Sequence, residues 1–349
     1  MAYTTINKFT DNFNTVTYSN AGDGAKAVTG VGFQPDLVWV KNRTVAYHPQ
    51  FHDSVRGASS GSLYTSTTDA IDSGYPISSF DSDGFTTGSQ GSNGSQNSAN
   101  QVAWNWKAGT TGSGTTGGSG TSKTYNYSVN TTAGFSIVKY EGNGTNNHQI
   151  PHHLGAVPKM IIFKNFQSGY SWDTYHIGIG NAHRLYFNSN VAKQSATNYL
   201  NSTTPTSTYI NLGDAGHTND SGTNHIAYCF AEKTGYSKIG TYKGNGSSSA
   251  PAFIYTGFKP KFVLIKCTNE ADEWFIHDDK RDGYNDDNEY LFASVSNVEG
   301  TNTNRIRLLS NGFSVPTTDK SHNKSGNTYI YMAIGQSLVG SNNTPCTAR

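Results

Sequence analysis

Short runs of consecutive apolar residues, fenced by turn-formers, punctuate this chain, and three of them sit in one repeated frame. The frame is G-x-x-P-x-x-x-x-x-K, read at Gly32 to Lys41, Gly155 to Lys164 and Gly257 to Lys266. Between Pro and Lys lie runs such as Met160-Ile161-Ile162-Phe163 and Phe262-Val263-Leu264-Ile265. A run this short, bounded by Pro and a charge, predicts a strand buried on both faces. Pro suits the strand entrance, where its missing N–H disrupts little.

Other features follow in the same order in each copy. A short strand candidate comes next, at Leu63-Tyr64, Leu185-Tyr186-Phe187 and Leu291-Phe292. An aromatic-rich strand closes each copy, at Val102 to Trp106, Ile226 to Phe230 and Tyr329 to Ile334. Copies two and three share Tyr-x-Gly-Asn-Gly (Tyr140 to Gly144, Tyr242 to Gly246), and Asn-Gly between strand-like runs predicts a hairpin. Units of about 100 residues with many short strands and no amphipathic helix predict an all-β chain of three tandem β-sandwich (jelly-roll-like) domains, each with its own core. The boundaries read as 1–109 for repeat 1, 110–132 for a Gly/Ser/Thr-rich linker, 133–235 for repeat 2 and 236–349 for repeat 3. As free coil, the stretch from Gly109 to Lys123 would hold its ends roughly 20 Å apart. Repeat 3 follows Lys233-Thr234-Gly235 almost at once. The second and third units therefore read as a rigid pair with the first one tethered.

Composition narrows the classes. Apolar residues make up 34% and charged residues 14%, but 12% aromatics and a net charge of +1 mark a folding chain rather than a disordered one. Near-neutral charge with no Lys/Arg run gives no basis for nucleic-acid binding. No stretch approaches the roughly 20 apolar residues of a membrane helix, so no membrane insertion is expected. The opening MAYTTINKFTDNF lacks the apolar run of a secretory signal. Cys229, Cys267 and Cys346 are isolated and show neither a disulfide framework nor metal spacing, which fits synthesis in a reducing cytoplasm.

Candidate chemistry is thin. HDSVRG (His52 to Gly57) and HDDKRD (His277 to Asp282) share an offset from the repeat Lys, so Asp53 matches Asp278 and Arg56 matches Arg281. No nucleophile elbow lies nearby, and a turn held by Asp–Arg pairing is expected. The second copy keeps His176 nearby, with Ile177 and Ile179 where Asp and Arg would stand. The acidic loop Asp278 to Glu289 lacks the spacing of a calcium loop and reads as solvated. His148, His152 and His153 read as an exposed turn, and Asp81 and Asp83 as a plain turn. No catalytic, metal or cofactor site is expected. Trp172 and Trp274 both stand eight residues after the repeat Lys. They are either covers of a sandwich edge or rings that stack on sugar, with Tyr170, Asp173, Glu273 and His277 as polar company. Trp172, Trp274, His176 and His277 are the candidate ligand-binding residues.

GFQPDLVWVKNR, HDSVRG, SSFDSDGFTTGS and VAWNWKAG in the first unit resemble a domain family common in marine bacteriophage virion proteins. NTTAGFSIVKYEGNGT, HHLGAVPKMIIFKNF and HIAYCFAEKTGYSKIGTYKGNG continue the resemblance. It implies a non-enzymatic virion structural protein exposed on the particle surface, a tail appendage of the fibre or receptor-binding type involved in host attachment. A capsid decoration protein and a lectin-like glycan-binding module are the alternatives. It also implies other virion proteins as partners, a homo-oligomer such as a trimer, and host surface glycan as a candidate partner.

Overall fold

The buried apolar runs are the central strands of three antiparallel sheets. A computed structural model describes residues 4–19, 24–74, 77–88, 99–281, 285, 289–301 and 304–339. In the first unit the strand order is Phe13–Ser19, Asn100–Trp106, Leu37–Asn42, Gln50–Asp53, Leu63–Tyr64. The third unit repeats it as Ser237–Lys243, Thr328–Ser337, Phe258–Cys267, Trp274–Asp278, Leu291–Phe292. The second has the same five, Phe135–Glu141, Asn224–Phe230, Met160–Asn165, Asp173–His176 and His183–Tyr186, inside an eight-stranded sheet. The chain is all-β, with each unit adding a three-stranded sheet that packs on one face of the large one. The repeat glycines are needed at the strand entrances. Gly32, Gly155 and Gly257 have φ of 88°, 64° and 85°, the left-handed region that other residues enter only at a cost.

Alternation along the central strands decides the rest. In Met160–Asn165, Ile161 and Phe163 face the small sheet, while Met160 and Ile162 face the other way. Those second faces do not meet solvent. Leu37 and Trp39 of the first unit, Met160 and Ile162 of the second, and Phe262 and Leu264 of the third belong to one continuous core. Trp39 shows this directly: its ring lies 5.5 Å from Phe187 of the second unit and 6.5 Å from Phe262 of the third. The expectation of a separate core for each domain is thus corrected. Each unit has a private layer, and all three share a central one.

The units meet in a closed ring built from equivalent contacts. The repeat Lys continues the inward parity, so it arrives at the rim of the shared core beside the preceding unit. Lys164 Nζ donates to Thr68 O at 2.8 Å, Lys266 Nζ to Asn190 O at 3.0 Å and Lys41 Nζ to Ser296 O at 3.0 Å. Two residues on, a carbonyl accepts a backbone N–H from that same neighbour: Ile71 to Phe166, Lys193 to Thr268 and Glu299 to Arg43, each at 2.9 Å. Unit two therefore docks on one, three on two and one on three, a pseudo-three-fold arrangement in a single chain. Burial pushes the Lys41 ammonium down to about 7 and those of Lys164 and Lys266 to about 8.

Two further expectations change. The residues read as a coil linker form strands Thr110–Thr115, Gly117–Gly118 and Thr124–Asn130. Thr124–Asn130 and Thr110–Thr115 extend the second large sheet, and Gly117–Gly118 edges the small one. Gly112 and Gly114 let the rings of Tyr127 and Tyr125 lie across the strand, since a Cβ at either would sit 2.6 Å from the facing hydroxyl. The glycines serve close approach, not flexibility, and the first unit is docked rather than tethered. The Asn-Gly pairs likewise do not make tight hairpins. Phe135–Glu141 and His148–Pro151 belong to different sheets, and the loop between them is pinned by Asn143 N donating to Asn219 Oδ1 at 2.9 Å. Asn245 and Asn323 repeat that bond at 2.9 Å in the third unit. Among the described residues no helix is long and apolar enough to cross a membrane.

A candidate ligand groove in the third unit

The residues singled out from the sequence fall mostly inside the seams. Trp172 is fully buried and Trp274 is 1% exposed, so neither offers a ring face to solvent. Their indoles donate to Tyr64 O at 3.0 Å and Tyr186 O at 2.9 Å of the preceding unit. The sugar-stacking reading of these two side chains is corrected: inward parity aims them at the shared core. His176 and His277 are also buried, and burial pushes them down to about 4 and about 3, so both are neutral. His277 Nε2 lies 2.9 Å from His322 Nε2, a bond between neutral rings, and His176 Nε2 lies 3.3 Å from Tyr331 O of the third unit.

The Asp–Arg turns exist as expected. Arg56 Nε donates to Asp53 Oδ2 at 2.5 Å and Arg281 Nε to Asp278 Oδ2 at 2.7 Å. They also face a neighbour. Asp53 Oδ2 accepts Tyr228 Oη of the second unit at 2.8 Å, and Asp278 Oδ2 accepts Trp104 Nε1 of the first at 2.9 Å. Strand pairing assigns the second copy's counterpart. Leu37 pairs with Asp53, Phe262 with Asp278 and Met160 with His176. His176 thus holds the Asp position itself, one residue from the alignment made on sequence, and Ile177 follows it. The closing-strand residue matching Trp104 and Tyr228 is Met332. Where the neighbour offers no donor, the carboxylate and guanidinium are replaced by His176 and Ile179.

The remaining candidates are structural among the described residues. The exposed-turn reading of the three histidines is corrected for two of them: His148, in strand His148–Pro151, bonds Asn219 and Thr116 and His152 bonds Thr206 O, both fully buried, while His153 stacks on Tyr127 at 3.7 Å. No group of three potential metal ligands occurs there. Asp83 accepts the N–H groups of Gly30 and Gly32, and Asp81 accepts two hydroxyls. Within the acidic loop, residues 282–284 and 286–288 lie outside the described part. Cys229 and Cys267 are buried and free, and Cys346 lies outside the described residues.

The outer faces of the second and third large sheets carry a second, unanticipated place. In the second unit Asp173 pairs across the sheet with Tyr186, and in the third Phe275 pairs with Phe292. The second unit fills the space above. His217 lies 4.9 Å from the Tyr170 ring and 6.0 Å from the Tyr186 ring, and its Nδ1 is 3.1 Å from Asp173 Oδ1. Arg184 covers Tyr186 at 4.9 Å. The third unit has Asp272 in the place of Tyr170, six residues after the repeat Lys, and Ser321 in the place of His217, two before the pinned Asn.

Two large rings have become two small polar groups, and an open groove of about 370 Å³ lies there. Phe275, Tyr290 and Phe292 line it, with centroids 5.0 to 5.4 Å apart and planes inclined by 49° to 85°, Phe275 being almost fully buried. Arg305 lies over Tyr290 at 4.8 Å, donates to Ser321 Oγ at 2.6 Å and pairs with Asp319 at 3.1 Å. Asp272, Glu273 and Lys320 complete the rim. Glu273, noted from the sequence as company for Trp274, reaches the groove while the Trp does not. The Tyr170/Asp272 exchange was visible at a fixed offset. The pairing of His217 with Ser321 required the loop geometry.

A family model for a domain of unknown function, DUF7483, matches residues 8–337. No curated protein matches the chain.

Proposed function

The chain belongs to the DUF7483 family, and we propose that it is a non-enzymatic structural component of a bacteriophage virion, displayed on the particle as a tail appendage for host attachment. The observation that carries this reading is the division of labour between repeated and divergent residues. The side chains repeated at fixed offsets, including Lys41, Lys164 and Lys266, bind unit to unit. The outer faces, which carry no such duty, differ from copy to copy. A rigid body with dissimilar outer faces suits a surface that must both assemble and recognise. The resemblance of the ordered sequence blocks to virion proteins supports the particle as its location. Its partners are then other virion proteins. Assembly with further copies would use surfaces outside the seams, which are occupied within one chain.

Antibody labelling of intact particles tests the reading. Label at the tail is expected, and label over the head would reassign the chain to capsid decoration. Absence from purified particles would refute virion residence altogether. Release of reducing sugar from host polysaccharide by the pure protein would overturn the non-enzymatic assignment.

A further inference from the structure

We propose that the groove on the outer face of the third unit binds a neutral saccharide ring. The inference deepens the attachment reading and rests on it for the source of the ligand, a cell-surface polysaccharide. Its physical basis is the comparison between two copies of one framework. The second unit fills this place with its own Tyr170 and His217, while the third carries Asp272 and Ser321 and leaves it open. A volume of about 370 Å³ falls in the range of about 300–1,000 Å³ usual for small-molecule sites.

The lining selects the chemistry. Arg305 lies over Phe275 and Tyr290, and the half-buried Phe292 ring is left to offer apolar contact to one face of a flat ligand. Around it stand carboxylates of Asp272 and Asp319 and the guanidinium of Arg305, acceptors and donors side by side. A hydroxyl both donates and accepts, so adjacent hydroxyls on a ring can satisfy such a rim together. A pyranose presents this combination, a C–H face below and hydroxyls at its edge. A purely apolar ligand would strip water from the charged rim without replacing its hydrogen bonds. A strongly anionic ligand would meet the carboxylates of Asp272, Glu273 and Asp319.

The test uses the full chain and ligand-observed NMR titration with methyl glycosides of glucose, galactose, mannose and N-acetylglucosamine. Saturable binding of at least one is expected. It should weaken at least ten-fold in Phe292→Ala and in Ser321→His, which puts back the ring that fills the second unit. Asp319→Ala provides a third variant at a side chain 54% exposed, whose loss leaves the core untouched. Tyr186→Ala in the second unit should leave binding unchanged. No saturable binding by the wild-type chain, or equal binding by folded Phe292→Ala and Asp319→Ala, would overturn the proposal. Binding of N-acetylneuraminic acid alone would also overturn it. Saccharide binding without particle label would refute the virion reading while sustaining the groove, and particle label without binding would do the reverse.

Discussion

Removing one hydroxyl at the seam between the first two units tests whether these contacts specify the ring. Tyr228 Oη donates to Asp53 Oδ2 at 2.8 Å, with both side chains fully buried and Arg56 on the same oxygen. Tyr228→Phe keeps the ring and deletes a bond to a charged acceptor, worth about 1.5–3 kcal/mol. Asp53→Asn leaves a buried guanidinium without its counter-charge, at about 3–5 kcal/mol. Because Tyr228→Phe deletes the bond that Asp53→Asn weakens by removing the acceptor's charge, the double variant should cost less than their sum, with a coupling of about 1–2 kcal/mol. Urea unfolding of the full chain, followed by Trp fluorescence, measures all three, and the m-value should not change. Two further variants make the comparison specific to the copies. Met332→Leu at the matching place should cost less than about 1.5 kcal/mol, being nearly volume-conserving. His176→Asp should cost more than about 3 kcal/mol, because neither Ile179 nor Met332 can answer a buried carboxylate. Additivity within about 0.5 kcal/mol at Tyr228 and Asp53, together with a mild His176→Asp, would sink the idea that these pairs set the order of units.

Acid should weaken the fold. Burial pushes His52 and His277 down to about 3 and His152, His176 and His225 to about 4, so the unfolded chain binds protons that the folded one refuses. Stability present above pH 6.5 is then lost as pH falls toward 4, at up to ~1.4 kcal/mol per pH unit for each histidine. Glu289, raised to about 7 by burial and Glu299, opposes this with one proton. A urea midpoint unchanged between pH 7 and pH 5 would contradict the account. On the alkaline side the lowered ammonium groups of Lys41, Lys164 and Lys266 make stability rise from about pH 8 to pH 10, with a shallower rise in Lys266→Met. Gly112→Val should cost about 1–3 kcal/mol by driving a side chain into Tyr127, detectable as a lower thermal midpoint. The shared core predicts one calorimetric transition for all three units, and separate melting of the first would refute it.

The repeat frame could be read from the sequence because its landmarks are backbone devices and apolar runs. Gly257 must adopt a positive φ, and Phe262 to Ile265 must be buried on both sides, whatever surrounds them. What covers the second face is a tertiary fact. An apolar run gives the same signal over a private core and over one shared with two neighbours, so Trp39 could not announce its contacts with Phe187 and Phe262. Parity caused the other misreadings. Trp172 and Trp274 stood at a common offset, but without the register nothing told inward from outward. A one-residue slip put Ile177 in place of His176 at the seam. The arm from Thr110 to Asn130 was hidden for another reason: its outer strand has no apolar residue, only glycines beneath two tyrosines.

Closure of the ring explains where the charges went. The chain itself joins the first unit to the second and the second to the third, and those seams carry, besides packing and carbonyl bonds, the Tyr228–Asp53 bond and the Lys238–Glu232 pair at 3.1 Å. Nothing covalent joins the third to the first, and the ionic contacts concentrate there. Arg43 of the first unit reaches Glu289 and Glu299 at 2.8 Å, while Arg281 reaches Glu299 at 2.7 Å and its own Asp278. Trp104 donates to that Asp278, and its ring lies 5.6 Å from the Arg281 guanidinium. Because the shared core already fixes the third unit beside the first, forming this network carries little further loop-closure entropy. Its buried charges are satisfied only when both units are in place, since separation would leave Glu299 without Arg43 and Asp278 without the Trp104 indole. The seam lacking a covalent joint is therefore the one that, among the described residues, holds the network of two guanidinium groups and three carboxylates. A single chain can hold a three-fold body this way, with the outer faces free to diverge.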